Sequence, residues 1–97
     1  MNITERDFCP RCAIKHLAQA RVLLLERDKG YPLHAWYALG HLAEAEDEIV
    51  TRMPDEAAKI REQRLLLESD TKTNIDFGAL MTLVADGALI EKPEGEG

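Results

Sequence analysis

Apolar residues recur at helical spacing through most of the chain, and four amphipathic segments can be traced along it. The first is predicted to start at Cys9-Pro10 and run to about Asp28. Cys9 takes the N-cap and Pro10 the first helical position, where its missing N–H costs nothing; Gly30 follows in the usual place beyond a helix end. Ile14, Leu17 and Leu24 mark one face. Val22, Leu23, Leu24 and Leu25 are consecutive, however, so the second half is apolar most of the way round, and this helix is expected to be central, covered by the next helix and by a later one.

Lys29-Gly30-Tyr31-Pro32 is a short link, which makes its neighbours antiparallel. The second helix is predicted from about Leu33 to Thr51, with Ala35, Leu39, Leu42 and Ile49 on a stripe and Trp36 and Ala43 beside it. Ala38 and Ala45 are small enough for close approach to the first helix. Pro54 opens the third, with Asp55 and Glu56 in the first turn, where the helix dipole favours anions; it runs to about Glu68 through Leu65-Leu66-Leu67. After a polar connector, Thr73 or Asn74 is expected to cap the fourth, with Asp76 in its first turn and Phe77, Leu80, Leu83 and Val84 on its apolar face up to Gly87. Ala88-Leu89-Ile90 is expected to fold back as an apolar clasp, and residues 91–97 to form a flexible acidic tail. The expectation is an all-α bundle: a single domain over residues 1–90, a central antiparallel hairpin, then two shorter helices.

Composition supports helix. The 97 residues are rich in Leu and Ala and poor in aromatics, enough for one domain with an adequate but not generous core, in which a metal staple would matter. No apolar run reaches the roughly 18 residues of a membrane span, and Met1–Asp7 lacks the basic-then-apolar order of a signal peptide, so a cytoplasmic protein is expected. Thiols stay reduced there, and a close cysteine pair is then a metal or redox site rather than a structural disulfide. The net charge of −6 argues against a broad phosphate-binding surface. Residues 1–30 nevertheless carry six basic side chains against four acidic, for +2, and the remainder six against fourteen, for −8. A local basic contact with nucleic acid through Arg6, Arg11 and Lys15 is thus the second reading, against the blander one of a solvated face.

The candidate chemistry lies in Cys9-Pro10-Arg11-Cys12-Ala13-Ile14-Lys15-His16, answered by Gly40-His41-Leu42-Ala43-Glu44-Ala45. Cys-x2-Cys at a helix start offers two thiolates where backbone N–H groups favour them, and Cys12 and His16 are one turn apart on one face. A hairpin turning near residues 28–30 places His41 level with His16, whereas His34 is about 10 Å nearer the turn. Cys9, Cys12, His16 and His41 would complete a tetrahedral, formally neutral Zn2+ site with no position left for water, hence structural, with one ion per chain. Taken singly, either histidine would be an ordinary polar-edge residue; it is the paired cysteines that change the reading. His34 is expected beside Tyr31 or Trp36.

Two rivals use the same region. Cys-x2-Cys also serves thiol–disulfide exchange, but in a frame with a strand before the helix, and no strand pattern precedes Cys9. Glu44, Asp47 and Glu48 lie on one side of the second helix and resemble the Mg2+-holding run of all-α nucleotide pyrophosphohydrolases of the MazG type. No matching acidic pair follows on the third helix, and a solvated face paired with Arg61 or Arg64 is the simpler expectation.

Over residues 9–50, the pattern Cys-Pro-x-Cys-x3-His-Leu-x-x-Ala, then Gly30-Tyr31-Pro32, then Gly40-His41-Leu42-Ala43-Glu44-Ala45 resembles short zinc-binding helical proteins that recur in bacteriophage genomes. The resemblance implies Cys9, Cys12, His16 and His41 as metal ligands and a phage or prophage accessory role. The expected function is therefore a non-enzymatic, zinc-stabilised interaction module. It would self-associate or bind a protein partner through apolar surface left at Leu65-Leu66-Leu67 and along the fourth helix.

Overall fold

The computed structural model describes the backbone over residues 8–96 and side chains over residues 8–89. Four helices follow one another there: α1 (Pro10–Asp28), α2 (His34–Ile49), α3 (Pro54–Ser69) and α4 (Phe77–Glu96). The class is all-α, as expected, and α1 and α2 form the closest pair; α3 lies along α2, α4 lies along α1, and of the pairs in contact α3 and α4 touch least.

Local chemistry sets the helix ends. Cys9 is the N-cap of α1, its Sγ accepting from the Cys12 N–H at 3.1 Å, and Pro10 occupies the first turn. Gly30 alone among the described residues has a positive φ, 115°, which lets the chain leave α1 and turn into α2. At α4 the cap is Asp76 rather than Thr73 or Asn74: its Oδ1 accepts from the Ala79 N–H at 3.0 Å. Thr73 turns back instead, its hydroxyl donating to the carbonyls of Asp70 and Leu66 at the end of α3.

The core is built from narrow stripes. α1 buries Ala13, Leu17, Ala20 and Leu24, and α2 buries Ala35, Ala38, Leu42, Ala45 and Ile49. Alanine at alternate contact points lets the two helix backbones approach closely while Leu17 and Leu42 fill the space between. Ala57, Ile60 and Leu67 of α3 and Phe77, Leu80 and Val84 of α4 complete one continuous cluster with Met53. Among the described residues no polar or charged side chain is buried in it.

Several expectations change. Val22, Leu25 and Trp36 are exposed, so the second half of α1 is open on one side and Trp36, expected beside the interhelical stripe, faces outward. Gly87 does not end α4: a Cβ there would come within 2.6 Å of the Met53 methyl and 2.8 Å of a Glu56 carboxylate oxygen, so Gly87 is a close-contact point on the start of α3. With no left-handed residue to stop it, α4 continues to Glu96, making it the longest helix and helical in backbone where a tail was expected. Arg6, Gly97 and the side chain of Ile90, invoked for a basic contact, the tail end and an apolar clasp, lie outside the described residues.

Arg27 joins the two halves. Its side chain is 8 % exposed, and its guanidinium donates to the carbonyls of Thr71 and Thr73 at 2.7 and 2.9 Å while pairing with Asp28 at 2.8 Å. The α3–α4 connector is thereby fastened to the end of α1. Arg27→Ala should lower unfolding free energy by about 2–3 kcal/mol, the range for charge-assisted bonds to otherwise unpaired carbonyls, and Arg27→Lys should recover only part of it. Urea denaturation measures both; a loss under about 0.5 kcal/mol for the alanine variant would show that the connector is held by something else.

Candidate metal centre

A hairpin is closed by its loop at one end and open at the other, and the reactive side chains of this chain line the open end. Two contacts fix the register there. The Cys9 N–H donates to the Glu48 carbonyl at 2.8 Å, and further along the seam the Nδ1 atoms of His16 and His41 stand 3.0 Å apart. Both pairs obey the level relation expected from a turn near residues 28–30. The two rings face each other with centroids 5.3 Å apart and an angle of 34° between their planes.

Two imidazole nitrogens at that separation can share one proton in an N–H···N bond or one metal ion. A tetrahedral Zn2+ with nitrogen ligands near 2.0 Å sets them about 3.3 Å apart, close to the observed spacing. The other nitrogen of His16, Nε2, lies 3.4 Å from a carboxylate oxygen of Glu44. A carboxylate on the far ring nitrogen favours the tautomer with hydrogen there, which leaves Nδ1 facing His41 with its lone pair free.

The cysteines are arranged differently from expectation. Cys9 and Cys12 are joined as a disulfide rather than standing as two thiolates. Their Cα atoms are 5.2 Å apart, within the range that a disulfide spans, and the same backbone turn also suits a two-cysteine metal knuckle. Cys9, Cys12 and Glu48 offer ligand atoms within 4.8 Å of one another and form a group that could hold a metal ion, by way of the sulfurs once reduced. Neither imidazole belongs to that group. The four expected ligands thus lie along one seam as two pairs, cysteines at the mouth and histidines one turn in.

The acidic residues of α2 sort by partner. Glu44 meets His16, Glu48 sits with the cysteine pair, and it is Glu46 that bonds Arg61 and Arg64 of α3 at 3.5 and 3.2 Å. Glu44 and Glu48 lie on the cysteine–histidine seam outside the expected ligand set, although the hairpin register that selects His41 also puts Glu48 level with Cys9. His34 stays at the turn end, edge-on to Tyr31 as expected and also to Tyr37.

No family model, curated protein or solved structure matches this chain. Its chemistry therefore rests on the residues themselves. Because the imidazoles are in direct contact, a double-mutant cycle of His16→Ala and His41→Ala on metal-free protein should be non-additive by about 0.5–1.5 kcal/mol. Additivity within about 0.3 kcal/mol in thermal or urea melts would mean that the rings are neighbours without being partners.

Proposed function

We propose that the chain is a small structural-zinc protein-interaction module, in which reduced Cys9 and Cys12 with His16 and His41 hold one Zn2+ per chain across the α1–α2 hairpin. The observation that carries this reading is the facing of His16 Nδ1 and His41 Nδ1 at 3.0 Å on the edge that also bears both cysteines. The donor set suits zinc: two thiolates and two neutral imidazoles balance its charge and fill its four positions, so the ion ties helices together and leaves no site for a substrate. It would supply what a 97-residue bundle with an alanine-rich hairpin lacks, a cross-link at the end away from the loop.

What the fixed hairpin offers to a partner is apolar surface. Val22, Leu25, Leu33, Trp36 and Tyr37 are all exposed toward the turn end, and Leu65 and Leu66 are exposed on α3. The register puts Val22 level with Ala35-Trp36 and Leu25 level with Pro32-Leu33, so the first group spans both helices. Contact is made with a second copy or with another protein. No described helix is long and apolar enough to cross a membrane. The resemblance of residues 9–50 to zinc-binding helical proteins of bacteriophages is what suggests, within this proposal, an accessory role in a phage or prophage setting.

Protein purified with a reductant and without chelator should carry about one zinc per chain by elemental analysis. Cys12→Ser and His41→Ala should each remove most of it and lower the melting temperature, since structural zinc binding is coupled to folding. Metal-free wild type from such a preparation would defeat the reading. Light scattering at micromolar concentration separates the two kinds of contact: a dimer or larger assembly supports self-association, and a monomer assigns the apolar surface to a different protein.

A further inference from the structure

We infer that the zinc site is redox-gated: oxidation of Cys9 and Cys12 to the disulfide expels the ion while the hairpin stays folded. The inference rests on the zinc reading and adds how the site is emptied. Its basis is that the cysteine pair has two uses at one backbone geometry. As thiolates the sulfurs would reach across the seam to a metal shared with α2; as a disulfide they are bonded to each other within the first turn of α1. The disulfide therefore cross-links nothing between helices. It removes two of the four ligands and both negative charges that hold the cation.

The fold does not depend on the link that is lost. In the disulfide form Cys9 N–H still meets the Glu48 carbonyl, His16 still meets His41, and the buried stripe from Ala13 to Leu24 still packs on Ala35 to Ile49. Cys9 also keeps its capping role, because its sulfur accepts the Cys12 N–H as part of the disulfide. Glu48 sharpens the contrast between the states. Its carboxylate lies with both sulfurs inside 4.8 Å, so two thiolates there would repel it, and either a bound cation or oxidation to neutral sulfur relieves that repulsion.

The chemistry balances with a peroxide as oxidant. One thiolate attacks a peroxide oxygen; an S–O bond forms, the O–O bond breaks and the leaving hydroxide takes a proton. The second thiolate then displaces hydroxide from the sulfenic sulfur, forming the S–S bond, and that hydroxide is also protonated. In sum, the zinc dithiolate, one hydrogen peroxide and two protons give the disulfide, free Zn2+ and two waters, with two electrons passing from sulfur to oxygen. Reduction of the disulfide by a dithiol regenerates the ligands.

The test uses the full-length chain, reduced with a phosphine, loaded with zinc, freed of excess metal and titrated with hydrogen peroxide. Zinc is followed with a chromogenic indicator, thiols by alkylation and mass spectrometry, and helicity by circular dichroism. The expected result is one zinc released for each disulfide formed, zinc affinity lowered by roughly a hundredfold or more, helicity largely kept, and zinc taken up again after reduction. Disulfide formation with zinc retained, zinc release while both thiols remain alkylatable, or release only together with helix loss would each overturn the gate and leave the zinc site standing. Failure of the reduced chain to take up zinc at all would remove both.

Discussion

The open end of the α1–α2 hairpin is the point on which the rest of the structure leans. At the closed end, Gly30 and the Tyr31-Pro32 link make separation of the helices impossible. At the other end only non-covalent contacts resist fraying, and there the chain places Cys9 against Glu48, His16 against His41, and Glu44 against His16. Because α3 lies along α2 and α4 along α1, a hairpin that splayed at this end would separate both layers. A metal or hydrogen-bond tie at this one place therefore acts on all four helices.

The packing explains why such a tie matters. Much of the α1–α2 contact is alanine: Ala13 and Ala20 on one side, Ala35, Ala38 and Ala45 on the other. Alanine permits close backbones but contributes little apolar area per residue, so the hairpin gains precision more than strength. The larger side chains that could have thickened the core, Val22, Leu25 and Trp36, face outward. Surface that would have stabilised the monomer is instead left uncovered, and the contacts at the open end offset part of that loss.

How far this was legible from sequence depended on whether the deciding interaction was local. The N-cap at Cys9, the turn at Gly30 and the start at Pro54 are set within a few residues and could be read directly. The apposition of His16 and His41 followed from counting outward from a short turn. The capping residue of α4 did not, because Thr73, Asn74 and Asp76 are all competent caps, and the choice fell to the one whose carboxylate reaches Ala79. Gly87 looked like a helix end because its real reason, the approach of Met53 and Glu56, comes from another helix. The outward facing of Val22, Leu25 and Trp36 was hidden for a related cause: an apolar side chain carries no mark of what will cover it. The state of the cysteine pair was beyond sequence in a different sense, since one turn of backbone serves a disulfide and a metal knuckle equally.

The two ends of the hairpin are thus chemically distinct, and the distance between them limits what a change at the cysteines can do. Cys12 and Leu25 are thirteen residues apart along α1, about 20 Å of helix. Between them run Leu17, Ala20 and Leu24, close-packed and buried without a polar group among them. The exposed group at the turn should therefore be indifferent to the state of the cysteines. The neighbours of Cys9 are placed otherwise. Phe8, adjoining it, carries the Arg52 guanidinium over its ring at 5.0 Å, and Arg52 precedes Met53, the residue that packs at Gly87 and opens α3. The Cys9 end of the hairpin is thus joined to the α2–α3 corner through Phe8 and Arg52, while the exposed apolar group at the turn lies at the far end of α1.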